Sequence, residues 1–158
     1  MATAITALAN LTLGANAASV SFSSISSSYR DLYLTINGSM AASGNIALKI
    51  NADATSTYYI IATASTSTTI TGSQAASNLL NYTNTLGTDQ FSMIVDLLDY
   101  STTDRHKSVL VKSSSATSSG AELLGMRWWG TAAIGTITLT GSSNFATGTQ
   151  FCLWGVAS

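Results

Sequence analysis

One histidine, His106, and one cysteine, Cys152, set the limit on acid–base and nucleophilic chemistry in this 158-residue chain. Those counts exclude metal centres built from several histidines or thiolates, and an internal disulfide. His106 follows Asp104 and Arg105 in a polar stretch, and no Gly-x-Ser-x-Gly turn offers a serine nucleophile beside it. A solvated loop histidine is the expectation. Asp96, Asp99 and Asp104 form the densest acidic group, of the residue type that a calcium loop or a glycosidase carboxylate pair requires. They lack the tight Asp/Asn/Gly run of a calcium loop, so a turn braced by Asp99, Arg105 or Lys107 is expected instead. No phosphate-cradling Gly-x-x-x-x-Gly-Lys and no dinucleotide fingerprint is present. No catalytic, cofactor-binding or metal-binding residue is assigned, and enzymatic function is not expected.

The aromatic residues are more informative. Adjacent side chains on a strand point to opposite faces, so Trp128 and Trp129 cannot both enter one core. One must look outward, either as a protein contact or sugar-stacking platform, or covered by a loop of the same chain. Tyr58 and Tyr59 pose the same choice with less force, because a tyrosine hydroxyl tolerates water. Trp128, Trp129, Tyr58 and Tyr59 are the candidate partner-interface residues.

Strands must carry these side chains. Apolar residues recur at every second position in Val20-Ser-Phe22, Leu32-Tyr-Leu34-Thr-Ile36 and Ile46-Ala-Leu48-Lys-Ile50, the period of a strand buried on one face. Tyr58–Ile61 and Phe91–Leu98 are more continuously apolar, as in strands covered on both faces or lying at a subunit contact. Further runs at His106–Val111, Leu123–Trp129, Ile137–Thr140 and Phe151–Val156 complete the pattern. Turn-formers separate them at Asn37-Gly38, Ser43-Gly44-Asn45, Thr71-Gly72-Ser73, Ser119-Gly120 and Gly141–Asn144. The best helical candidate, Gln74 to Leu80, is a turn or two. The fold expected is all-β: a single-domain antiparallel β-sandwich, jelly-roll-like, of about ten short strands. Residues 1–16 read as an N-terminal arm or edge strand and 17–158 as the sandwich.

Charge is scarce. Only 8% of residues are charged, against about 25% in ordinary domains, while 46% are hydrophobic. Ser and Thr, at roughly three residues in ten, supply the polar surface. A net charge of −1 gives no field to attract nucleic acid or an anionic membrane, so neither is an expected partner. The chain contains no proline, the usual device for blunting a sheet edge. With few charges to do that work, its edges and outer faces are expected to be covered by a neighbouring chain.

Several segments, in an order that spans nearly the whole chain, carry a resemblance. They are Ser24-Ile-Ser-Ser-Ser-Tyr29-Arg-Asp-Leu32-Tyr-Leu, Leu48-Lys-Ile-Asn51-Ala-Asp53 with Tyr58, and Asp99-Tyr100 ahead of Lys107. Trp129 with Ala133-Ile134-Gly-Thr-Ile137-Thr-Leu139, and Phe145-Ala-Thr-Gly148-Thr-Gln-Phe151-Cys-Leu153-Trp-Gly155-Val, close the set. As a set the pattern resembles small β-sandwich structural proteins of tailed-bacteriophage particles. It departs from them at Ser26–Ser28, where a proline is expected, and at Trp154, where a tyrosine is usual. The resemblance implies no catalytic residues. It implies a virion structural protein, foremost a capsid decoration or cement protein on the capsid surface. Its expected partners are the major capsid protein and its own copies, as a homotrimer. With no basic leader in Met1-Ala-Thr-Ala-Ile-Thr, it is expected to be made in the host cytoplasm without a signal peptide. The alternative is a tail fibre or tail tip domain that binds a host surface glycan through Trp128 or Trp129.

Overall fold

The computed structural model describes residues 4–54, 58–65, 70–77, 80–81, 86–116 and 121–157, with the side chains of 4–54, 86–116 and 122–157. The strands are β1 (Ile5–Thr12), β2 (Ala17–Phe22), β3 (Asp31–Gly38), β4 (Ile46–Ile50), β5 (Tyr58–Ser65) and β6 (Ile70–Ser77). They continue as β7 (Leu80–Asn81), β8 (Phe91–Leu98), β9 (Lys107–Ser115), β10 (Ala121–Trp128), β11 (Ile137–Phe145) and β12 (Gln150–Val156). No helix occurs among the described residues, so none there is long and apolar enough to cross a membrane.

The strands form an eight-stranded sheet, β1-β12-β3-β8-β9-β10-β5-β6, and a four-stranded sheet, β2-β11-β4-β7. The protein is a single-domain antiparallel β-sandwich. Its topology is that of a long hairpin rolled up: β1 pairs with β12, β2 with β11, β3 with β8 and β4 with β7, all antiparallel. Rolling then lays β12 on β3 and β11 on β4. Two nested Greek keys of this kind define a jelly roll. The hairpins β5–β6 and β9–β10 extend its larger sheet beyond β8.

The alternation read from the sequence sets which residues lie between the sheets. Leu32, Leu34 and Ile36 of β3, Val95 and Leu97 of β8, and Phe151 and Leu153 of β12 point inward from the larger sheet. Val20 and Phe22, Ile46, Leu48 and Ile50, and Ile137 and Leu139 meet them from the smaller one. Each such side chain contributes about 1.5–3 kcal/mol by leaving water. Phe145 and Phe151 meet edge to face, with ring centroids 5.1 Å apart, and join β11 to β12.

Four local expectations are corrected, the first being the turn at Thr71-Gly72-Ser73, which instead lies within β6 with Gly72 paired to Thr63. Gln74–Ser77 is not helical but belongs to β6, which pairs with β5 from Tyr58↔Ser77 to Ser65↔Ile70. Pairing along a whole strand outweighs the weak helical propensity of Gln-Ala-Ala. Asn37-Gly38 is the end of β3 and not a turn: a Cβ on Gly38 would lie 2.7 Å from the Thr149 Cα, so glycine is there for close backbone approach. Gly141–Asn144 is a bulge within β11, where the register with β2 shifts between Thr140 and Phe145.

Candidate interaction surface

Strand β10 is registered on β9 by Trp128↔Lys107 and Arg127↔Ser108, which fixes the direction of each tryptophan. Trp128 points inward and is 3% exposed. Its Nε1–H donates to Asp53 Oδ2 at 3.1 Å, and Gly130 lies so close to the ring that a Cβ there would overlap it. Asp53 is brought beneath the indole by a turn after β4 in which Asn51 and Ala52 take left-handed φ values of 51° and 54°. The Asn51 side chain stitches that turn to the segment before β11: Nδ2 donates to Ala133 O at 2.8 Å, and Oδ1 accepts from the Gly135 and Thr136 amides at 2.8 and 3.1 Å.

Trp129 is the outward ring, 45% exposed. The Arg127 guanidinium carbon stands 4.5 Å from its ring centroid, and the His106 ring approaches at 5.3 Å with an interplanar angle of 55°. His106 Nδ1–H donates to the Trp129 carbonyl oxygen at 2.5 Å, which fixes the imidazole against the indole's own backbone. Braced in this way, Trp129 loses little rotamer freedom when a partner covers it. Trp128 offers no ring to a partner, which corrects its candidacy as a contact residue. Tyr58 and Tyr59 lie in β5 beside β10, and their side chains fall outside the described residues.

The loop between β8 and β9 is held from below by Lys107, which is fully buried. Its ammonium donates to the carbonyls of Thr102, Arg105 and Thr131 at 2.5, 3.0 and 3.2 Å and to the Thr102 hydroxyl at 3.2 Å. Burial pushes the Lys107 amine below the ordinary lysine value, with Asp104 opposing. Within the loop, Arg105 binds Asp104 through two nitrogens at 2.9 and 3.0 Å and reaches Asp99 at 3.4 Å. The hydrogen bond from Arg105 holds the Asp104 carboxyl below its usual range. Asp96 is apart from this loop pair, on the sheet face 3.6 Å from Lys112. The three acids are thus spoken for by cations. Among the described residues, no group of three or more His, Cys, Asp or Glu side chains is placed to hold a metal ion.

Segments far apart in sequence converge at this end of the sandwich. Besides Asn51 and Lys107, Ile134 N–H donates to Tyr100 O at 2.9 Å. The buried Tyr100 hydroxyl donates to Ser26 O, and Ser101 Oγ donates to Tyr29 O at 3.1 Å. The Tyr29 ring in turn lies over Gly155, where any Cβ would strike it. Gly155→Ala is therefore expected to destabilise the fold by about 1–3 kcal/mol, since it overpacks a filled site. A urea midpoint equal to that of the parent would show that the ring moves aside at no cost.

A second surface is centred on the doubly apolar run Phe91–Leu98. The outer face of the larger sheet carries Tyr33, Ile94, Leu110 and Trp154, all half-buried, with Leu98, Leu123 and Ile5 at 48%, 47% and 55% exposure. Across the strands, register aligns Trp154 with Tyr33, Tyr33 with Asp96, and Asp96 with Leu110. Ile5, Tyr33, Thr35 and Trp154 line a shallow apolar cleft there. That run was its sequence signal. Glu122, buried on the inner face of β10 opposite Ser113, gave none.

No family model matches this chain. No curated protein matches it. Among solved structures it is similar to a marine PL-14 alginate lyase from Aplysia kurodai, at 10% identity, 78% of this chain, 72% of the other and a TM-score of 0.30. It is also similar to a functionally unknown protein from Saccharomyces cerevisiae, at 10% identity, 82% of this chain, 72% of the other and a TM-score of 0.22. Likenesses at this level carry no argument about what the chain does.

Proposed function

We propose that this chain is a structural protein of a bacteriophage particle: a capsid decoration protein that braces major capsid subunits and acts by surface contact, without catalysis. The observation that supports this reading most is Trp129, an exposed indole propped by Arg127 and His106 on a surface otherwise rich in hydroxyls and poor in charge. Tryptophan and arginine are the side chains that most often dominate a protein contact, and tryptophan brings its large area with few freely rotating bonds. Against a capsid the ring is buried while the seryl and threonyl surface around it hydrogen-bonds or stays wet.

Trp129→Ala is expected to leave the isolated fold intact and to weaken binding to undecorated particles about thirtyfold, the effect of a contact worth about 2 kcal/mol. Particle occupancy measured by co-sedimentation checks this. Unchanged occupancy at limiting concentration would remove Trp129 from the contact.

The same ring favours a second reading, a tail fibre or tail tip domain that stacks a host surface glycan on Trp129. Copy number separates the two: decoration requires on the order of hundreds of copies per particle, and a tip a few tens at most. Trp129-dependent retention on host polysaccharide, with low copy number, would favour the tip.

A further inference from the structure

We infer that the outer face of the eight-stranded sheet is the surface through which this chain binds a second copy of itself. Strand β8 is apolar on both sides: Phe91, Met93, Val95 and Leu97 fill the core, while Ile94 and Leu98 point away from it. A strand of that composition is either sandwiched between two layers of its own chain or set at a subunit contact. The smaller sheet covers only its inner side, and β8 sits fourth of eight strands, far from either edge. Leu110 on β9 and Leu123 on β10 continue the apolar surface to one side, and Tyr33 and Trp154 continue it to the other.

Size and charge select the occupant. Six strands spaced about 4.8 Å apart, each rising about 3.4 Å per residue over seven or eight residues, present roughly 700 Å² in projection. The accessible surface of a face studded with side chains exceeds its flat projection, so this face is of the size that a stable association buries, about 800 Å² on each partner. Its middle holds one acid and one base, Asp96 and Lys112, 3.6 Å apart on neighbouring strands. Asp31 and Arg127 stand on the same face toward its ends, so acids and bases balance there, and the partner that fits is largely apolar and neutral, with opposite charges to exchange. This face meets that description itself, and a copy laid on it can set Asp96 against Lys112 in both directions. Sheets packing face to face in this way interdigitate their side chains at about 10 Å, as inside a sandwich.

This inference gives a site, as a two-fold contact, to the self-association that the sequence resemblance implies, and its test does not depend on the proposed function. Light scattering and sedimentation of the purified chain are expected to show a closed oligomer. Ile94→Lys and Leu110→Lys, each placing an unpaired charge in the contact, are expected to raise its dissociation constant at least about thirtyfold while leaving the thermal transition of the folded chain in place. Cys152 lies on the same face, between Thr35 and Asn10 in register, and reports on coverage without being part of the claim. Its reaction with a maleimide is expected to slow as concentration rises in the parent and not in Ile94→Lys. A parent that stays monomeric at 100-fold above the working concentration, or oligomers indifferent to both lysine variants, would overturn the inference. A monomer that still decorates particles would overturn it and leave the virion reading standing; an oligomer that ignores particles would do the reverse.

Discussion

Lys107→Met is expected to lower the free energy of unfolding by about 3–5 kcal/mol, the usual result when one partner leaves a buried charge-bonded set. The methionine keeps most of the aliphatic stem, so packing changes little. What disappears is the ammonium shared by the Thr102, Arg105 and Thr131 carbonyls. Each carbonyl left without a donor in a dry site costs about 1–3 kcal/mol. The β8–β9 loop and the segment after β10 then lose their buried tie and keep only the Ile134–Tyr100 and His106–Trp129 hydrogen bonds already described. A urea titration of the parent and Lys107→Met measures the difference. A loss below about 1 kcal/mol would mean that water replaces the amine and that the loops hold themselves.

Trp128→Ala is expected to cost a similar amount, about 3–5 kcal/mol, as for other truncations of a buried large aromatic. It empties the volume beneath Gly130 and strips Asp53 of its indole donor. For a chain of this length the melting temperature falls about 2–4 °C per kcal/mol, which places the drop near 10 °C. Trp128→Phe, which keeps a ring but not the N–H, should recover about half of it. The contrast with Trp129→Ala is the sharper check, since two adjacent substitutions of one residue type are predicted to act on different properties. Equal melting temperatures for the two alanine variants would reverse the inward and outward assignment.

Period-two alternation made β2, β3 and β4 legible because a sandwich strand buries one face, and Leu32, Leu34 and Ile36 mark that face unambiguously. The same rule missed β6, whose sequence Ile-Thr-Gly-Ser-Gln-Ala-Ala-Ser has one large apolar residue and is a strand through its pairing with β5. Glycine misled three times, at Gly38, Gly72 and Gly141, because a glycine inside a strand and a glycine at a turn are the same residue type in the sequence. Strand parity established that the two tryptophans diverge. Which one enters the core depends on register with Lys107 and on Asp53, 75 residues away, and no local pattern carries that. On the outer sheet face only the run Phe91–Leu98 was legible, and the rest was hidden for a related reason. Tyr33 occupies an alternate position that reads as solvent-facing, and its apolar company from β8, β9 and β12 exists only after the sheet has formed.

Rolling the hairpin has a consequence in time. Ile5 faces Val156 and Thr12 faces Gln150, so β1 finds its neighbour only after β12 has been synthesised. Closing so large a loop precedes any reward from the contacts it makes, which places such topologies among slow folders, in milliseconds to seconds. Until then β3 also lacks one flank, because β12 is the bridge between β1 and β3. A nascent chain is therefore sticky until β12 is in place, and loss of Gln150–Val156 alone would leave β1 unpaired and β3 bare on one flank.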